Sequence, residues 1–217
     1  MSVFYNEYKS KLLLKEAGLP CGEFALATSR QAAQEAAVRY GFPTVMKIVS
    51  EQILHKTEAD GIKLNIQGED EAGACYDKLI ENAKRYNPDA VIEGVYVAHM
   101  VPNGVEVIVG GLRDVQFGPV IMFGLGGVFV EIFKDVQFRM APLNKKEALA
   151  LIQSIQAFPI LEGARGQKPV NLDALAELIV STSKFMAEND YVKEIDLNPI
   201  ICYDNKIQVI DAVIGID

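Results

Sequence analysis

Residues 117–143, FGPVIMFGLGGVFVEIFKDVQFRMAPL, constrain the fold of this chain more than any other stretch. An apolar run at 120–123 leads into Gly124-Leu125-Gly126-Gly127, and the chain returns as a second apolar run carrying Glu131, Lys134, Asp135 and Arg139. Three glycines in four residues let another strand or a ligand approach the backbone, because no Cβ intrudes. Charged residues clustered just after such a turn suggest a lined cleft. A tight hairpin with a solvated rim accounts for the same pattern, since Gly-rich turns are common in sheets. A dinucleotide fingerprint fits poorly: the turn follows a strand but does not open a helix with the required glycine spacing.

At 217 residues the chain can bury a substantial core, as one domain or two lobes. A formal charge of −8 argues against general binding to nucleic acid or anionic membrane, which needs a basic face. It leaves room for a small anionic ligand held by a few local cations or a metal. Cys21, Cys75 and Cys202 are far apart and show neither metal-ligand spacing nor a disulfide framework, which suits a reducing compartment. The N-terminus scatters charges through MSVFYNEYKSKLLL and does not read as a signal peptide, and no apolar run has the length of a membrane span. The expected location is the cytoplasm.

Local signals predict a helix over 6–17 stopped by Gly18, a strand at 23–27, and a helix opened by the capping spacing of Thr28 and Gln31 and closed at Gly41. Strands follow at 44–49 and 62–66, separated by a loop with His55, Lys56 and Gly61. Acidic residues 69–71 open a helix that runs to Tyr86. Strands at 91–100 and 105–112 read as a hairpin through Pro102-Asn103-Gly104. Strands around Val120 and Val128, helices at 144–157 (capped by Asn144 with Glu147) and 171–188, and strands at 200–203 and 207–210 around Asp204-Asn205 complete the chain. The change of character near 97–102 marks the expected lobe boundary.

Lys47 sits inside the apolar strand Val45-Met46-Lys47-Ile48-Val49, where it either snorkels to an edge or directs a cation at phosphate oxygens. His55 and Lys56 lie in the loop that follows; an imidazole there is nucleophilic near neutral pH and can accept or pass a phosphoryl group. In Glu194-Ile195-Asp196-Leu197-Asn198-Pro199, alternation puts Glu194, Asp196 and Asn198 on one face of an extended segment. If the Asp204-Asn205 turn folds the next strand back, Asp211 meets Asn198. A carboxylate and an amide oxygen suit Mg²⁺, although both residues are also good turn caps.

Taken in order, these positions resemble the ATP-grasp (β) subunit of NDP-forming acyl-CoA synthetases, the ADP-forming acetate–CoA ligases; succinyl-CoA synthetase β subunits are more distant relatives. The resemblance spans essentially the whole chain: Lys47, His55-Lys56-Thr57, residues 104–110 and 117–127, Asp196 to Pro199, and Asp211. It implies an α/β (α+β) ATP-grasp fold of two lobes, about 20–98 and 99–217 plus the N-terminal helix, with the nucleotide site between them. The implied reaction is acyl-CoA + ADP + phosphate ⇌ carboxylate + CoA + ATP, with ATP/ADP and Mg²⁺ as cofactors. The implied partner is an α subunit carrying the CoA-binding and phosphohistidine modules, in a hetero-oligomer; the length suits a free-standing subunit. By resemblance Lys47, Lys56 and Arg139 face nucleotide phosphates, with Gly126 and Gly127 in the glycine-rich turn. Val97, Ala98, His99 and Met100 read adenine through backbone groups, and Glu106 lies near the ribose. Asn198 and Asp211 hold Mg²⁺, His55 carries the phosphoryl group transiently, and Asp196, or Glu194, steadies a phosphohistidine.

Two positions depart from the family pattern. Asp60 stands where the loop has a glycine, and adds a negative charge where phosphates approach. The expected hinge ends Ala98-His99-Met100 rather than Gln-Glu-Met, so backbone contacts to adenine survive while side-chain contacts do not. These departures motivate an alternative, a degenerate non-catalytic ATP-grasp module acting as a nucleotide sensor or scaffold.

Overall fold

The computed structural model describes residues 3–53, 56–127, 134–163 and 168–217. The chain divides into two compact units, Gly22–Val101 and Met1–Cys21 with Pro102–Asp217. All strand pairings among the described residues are antiparallel.

The smaller unit contains β2 (Phe24–Ala27), α2 (Arg30–Tyr40), β3 (Thr44–Val49), β4 (Ile62–Ile66), α3 (Glu69–Tyr86) and β5 (Gly94–His99), with sheet order β2-β5-β3-β4. Met46, Ile48, Val95 and Val97 point from the sheet into a core shared with Ala33, Ala37, Leu79 and Ala83 of the two helices. The N-cap of α2 is Ser29, which accepts from the Ala32 amide, rather than Thr28. Either hydroxyl is competent; the extended backbone at Ser29 decides between them. Gly41 closes the helix with φ +85°.

The larger unit contains β1 (Val3–Tyr5), α1 (Glu7–Glu16), β6 (Val105–Asp114), β7 (Gly118–Leu125), β8 (Val136–Met140), α4 (Lys145–Gln153), α5 (Phe158–Leu161), α6 (Leu172–Glu188), β9 (Val192–Tyr203), β10 (Lys206–Val209) and β11 (Ala212–Ile216). The sheet order is β1-β11-β9-β6-β7-β8, with β10 also on β9. The capping box of Asn144 and Glu147 forms as expected, but its helix ends at Gln153, and a turn separates it from α5. Strand β1 is three β-favouring residues long, Val3-Phe4-Tyr5, and pairs with β11.

Two expectations fail. The strands flanking Pro102-Asn103-Gly104 do not form a hairpin: β5 pairs with β2 and β3, whereas β6 pairs with β7 and β9. The turn residues connect two sheets. The glycine-rich segment is no tight hairpin either; β7 extends through Leu125, and its partner β8 begins only at Val136. The strand expected around Val128 lies outside the described residues.

Arg113 ties the end of α6 to β9. Its guanidinium donates to the carbonyls of Met186, Asn189 and Val192, the last two at 3.1 Å. Its ion pair with the exposed Asp190 adds little. Three acceptors on one half-buried charge make Arg113→Ala cost about 2–3 kcal/mol. Thermal unfolding should show a midpoint lowered by roughly 5–10 °C, and an unchanged midpoint would count against this tie.

Candidate functional site

The best-built constellation lies on one face of the larger sheet. Along β9, Ile195 and Leu197 are buried while Glu194, Asp196 and Asn198 are exposed, as period-two alternation requires, and beyond Asn198 the buried phase shifts to Ile200. Pairing carries that face across the sheet: Asp196 stands opposite Gly110, Gly110 opposite Met122, and Met122 opposite Phe138. Glu194, Asp196 and Asn198 line a cleft of about 630 Å³ whose wall is apolar, from Leu112, Val120, Met122 and Phe138. Leu112, Phe117, Phe138 and Met140 are all more than half exposed on this side.

Asp204 and Asn205 both have positive φ, the geometry of a two-residue type I′ hairpin. From that turn the register on β9 continues unbroken, from Val209 opposite Ile200 to Ala212 opposite Leu197. Asp211 therefore faces Asn198. The Asn198 amide donates to the Asp211 carbonyl at 3.2 Å, and the Ala212 amide donates to Asp211 Oδ1 at 2.8 Å. On its other side β9 opposes Ile108 with two residues, Asn198 and Pro199. A bulge of this kind re-aims side chains and is frequent beside functional sites. Four oxygen-bearing side chains thus share one face. The Asp196 carboxyl is held above the usual aspartate range, first by desolvation and then by the charges of Asp211 and Glu194.

Glu106 and the glycine-rich segment meet in the same unit. The Gly126 amide donates to the Glu106 carbonyl at 2.8 Å. A Cβ on Gly126 would lie 3.0 Å from the Glu106 Cβ, and Gly127 has φ +60°. The segment is glycine because it packs across Glu106.

In the smaller unit Lys47 belongs to an interior strand, opposite Tyr96 on the sheet face away from α2 and α3. It does not snorkel to an edge: it is 6% exposed, and Nζ lies 5.6 Å from the Tyr96 ring centroid. Lys56 is half-buried in the loop that ends at Gly61, whose amide donates to the Lys56 carbonyl at 2.7 Å. His55 lies outside the described residues. Asp60, the departure from the family loop, turns its carboxylate onto Lys63 Nζ at 2.7 and 2.9 Å and Asn82 Nδ2 at 2.8 Å. The Lys63 hydrogen bond is the main cause that holds its carboxyl below the usual range. Its added charge is answered within its own unit.

The four expected adenine-reading residues are not equivalent. Val97 and Ala98 have strands on both sides. The Met100 amide is committed to the Pro43 carbonyl at 2.8 Å. That bond makes Thr44 and His99 a non-hydrogen-bonded pair, so His99 directs its amide and carbonyl to the other side, where β2 begins only at Phe24. His99 Nδ1 lies 3.2 Å from the Gly41 carbonyl.

The charged cluster after the glycine-rich turn does not line one cleft. Asp135 is 6% exposed and accepts the amides of Gln156 and Ala157 at 2.9 and 2.7 Å, fixing the turn before α5. Arg139 stands opposite Ile121 and in the row of Gly111 and Ile195, which is the face opposite Asp196. A one-residue offset in strand register separates it from the acidic residues. Glu131 lies outside the described residues.

Sequence reasoning missed the buried polar face of α1, where Glu7, Ser10, Lys11 and Leu14 are all buried. Their 7-10-11-14 spacing was available as a helical face, but three polar residues on it read as a solvent face.

The ATP-grasp domain family matches residues 3–216. The acetate–CoA ligase [ADP-forming] I subunit beta of Pyrococcus furiosus is 49% identical over 206 residues, covering 95% of this chain and 89% of that protein. The structure of Ca. Korarchaeum cryptofilum dinucleotide-forming acetyl-coenzyme A synthetase 1 with coenzyme A, Ca-AMPCP and HgCl+ superposes with TM-score 0.95 at 42% identity, covering 99% of this chain and 93% of the other. A second structure of that enzyme, with coenzyme A and Mg-AMPPCP and its phosphohistidine segment pointing towards the nucleotide binding site, gives TM-score 0.85 at 38% identity over 99% and 93% of the two chains. The chain belongs to the ATP-grasp family, in the branch of ADP-forming acetate–CoA ligase β subunits, ligases that form carbon–sulfur bonds. Among the described residues no helix is long and apolar enough to cross a membrane.

Proposed function

We propose that this chain binds ADP or ATP with Mg²⁺ and, with an α partner, moves a phosphoryl group between a phosphohistidine and ADP, coupling acyl-CoA cleavage to ATP synthesis. The observation that carries the reading is Asp211 opposite Asn198 on the face that also bears Asp196 and Glu194. Among the described residues no group of three or more His, Cys, Asp or Glu forms a metal cage. A carboxylate with an amide oxygen nevertheless fits Mg²⁺, which completes its shell with water and substrate phosphate. Asn198 and Asp211 would hold the ion, which supplies neutralisation of phosphate charge when bound. Lys47 and Lys56 would add cationic charge at the phosphates, Glu106 would meet the ribose, and His99 would offer its backbone to adenine.

In the transfer, the P–N bond of the phosphohistidine breaks as a P–O bond forms on the ADP β-phosphate, and the imidazole leaves. Such chemistry asks the protein mainly for alignment and electrostatic stabilisation. Asp196, with Glu194 beside it, would orient that imidazole, and the apolar wall would receive the partner's histidine-bearing segment. The Korarchaeum enzyme has such a segment pointing towards its nucleotide site. The catalytic reading is favoured over a sensor or scaffold because the added Asp60 charge is paired with Lys63.

Two measurements test this. Calorimetric titration with Mg·ADP should give micromolar to sub-millimolar binding. His55 would relay the group, its imidazole taking the phosphoryl from the partner's phosphohistidine and then giving it up to ADP, so with α partner and acyl-CoA His55→Ala should bind nucleotide within about threefold of the parent yet make ATP at least roughly a hundredfold more slowly. Unchanged ATP synthesis would remove His55 from the mechanism.

A further inference from the structure

Lys11 is 1% exposed and is among the largest fully buried side chains of the protein. Lysine is almost never fully buried without a compensating partner, because taking an ammonium out of water is costly. Its Nζ donates to the Ile210 carbonyl at 3.2 Å, across 199 residues of sequence. Ile210 directly precedes Asp211. One residue earlier on the same helix, Ser10 Oγ donates to the Tyr5 carbonyl at 3.2 Å and accepts the Ile214 amide at 3.1 Å. Helix α1 therefore grips the β10–β11 corner on both sides of Asp211: Lys11 just before it, Ser10 three residues after. From the opposite side, Ile210 donates its amide to the Pro199 carbonyl at 3.0 Å, and the Asp211 carbonyl accepts from Asn198.

We infer that Lys11 is a positioning residue for the Asp211–Asn198 pair, fixing the Ile210 carbonyl and with it the direction of the Asp211 carboxylate. This rests on the reading of Asp211 and Asn198 as Mg²⁺ ligands. Purely as packing, a lysine here is a poor choice, since an apolar side chain of similar length fills the space without an ammonium to desolvate. Its bond to Ile210 sets a carbonyl at the corner where β10 passes into β11. Outer groups that orient ligands commonly govern metal affinity as strongly as some ligands do.

The test compares Lys11→Met, Leu14→Ala and Asp211→Asn in the full chain. Leu14→Ala is the control for simple weakening of α1, because Leu14 is buried on the same face. The first readout is amide hydrogen exchange at Asn198, which needs neither nucleotide nor metal. Lys11→Met should speed that exchange by about tenfold or more relative to Ile195, whereas Leu14→Ala should change the two amides together. The second readout is the Mg²⁺ concentration for half-maximal ADP binding, expected to rise about tenfold in Lys11→Met with metal-free ADP affinity preserved. If Lys11→Met does not fold, Lys11→Leu, which likewise offers no donor to the Ile210 carbonyl, is measured in its place against the same two expectations. Asn198 exchange and Mg²⁺ midpoint both matching Leu14→Ala would overturn the inference. A raised Mg²⁺ midpoint in Asp211→Asn beside an unshifted midpoint in Lys11→Met would overturn the role of Lys11 alone. An unaltered Mg²⁺ midpoint in Asp211→Asn would instead sink the metal reading on which that role depends.

Discussion

Replacing Asp196 with asparagine should raise the melting temperature of the metal-free chain and lower ATP formation with the α partner by about a hundredfold or more. The two effects have one origin. Desolvation and the neighbouring charges of Asp211 and Glu194 all disfavour the Asp196 carboxylate. Asparagine keeps its shape and removes its charge, so the like-charge strain on this face falls. Part of the residue stays in solvent, which limits the gain to roughly 2 °C. That gain should shrink as salt is added, because exposed charges are screened within about 8–10 Å at physiological ionic strength. The cost falls on function: an amide cannot steady a departing imidazole as a carboxylate can. Strained, like-charged clusters that are stabilised by neutralisation are typical of sites kept for activity. Equal stability at low salt, or ATP formation within threefold of the parent, would refute this account of Asp196.

The second large effect is expected at Lys47. Lys47→Met should weaken ADP and ATP by about a hundredfold in calorimetry. Methionine retains a flexible apolar stem against Tyr96 and removes the ammonium. A hydrogen bond from a charged group contributes about 1.5–3 kcal/mol, which corresponds to roughly 10- to 150-fold in affinity. Lys47 is pre-set for such a role by its interior strand, which leaves its backbone no freedom to move the ammonium aside. Affinity within threefold of the parent would assign phosphate recognition to other cations, with Lys56 the first to examine.

Parts of the site were legible because they depend on local rules. Strand alternation alone put Glu194, Asp196 and Asn198 together. Turn chemistry at Asp204-Asn205 turned the chain back, and the unbroken register that follows put Asp211 opposite Asn198. Glycine spacing marked the segment that packs on Glu106. Arg139 stands on the sheet face opposite Asp196, since nearness in sequence to the glycine-rich turn says nothing about which face of a strand a residue occupies. Asp135 was misjudged because its partners, the amides of Gln156 and Ala157, lie some twenty residues away.

Local sequence sets where most elements begin and end, since caps, turn residues and hydrophobic period act over a few residues. The strand at Thr44–Val49, the Asn144–Glu147 capping box and the Asp204-Asn205 hairpin are all of this kind. Which strands pair was settled by long-range packing instead. Pro102-Asn103-Gly104 has good hairpin chemistry, yet β5 and β6 enter different sheets, because each gains more by burying its apolar face between partners distant in sequence than by pairing across the turn. The same packing took Lys11 out of water and set it on Ile210. No local rule predicts the contact of that lysine with Ile210, because the carbonyl it meets comes from the other end of the chain.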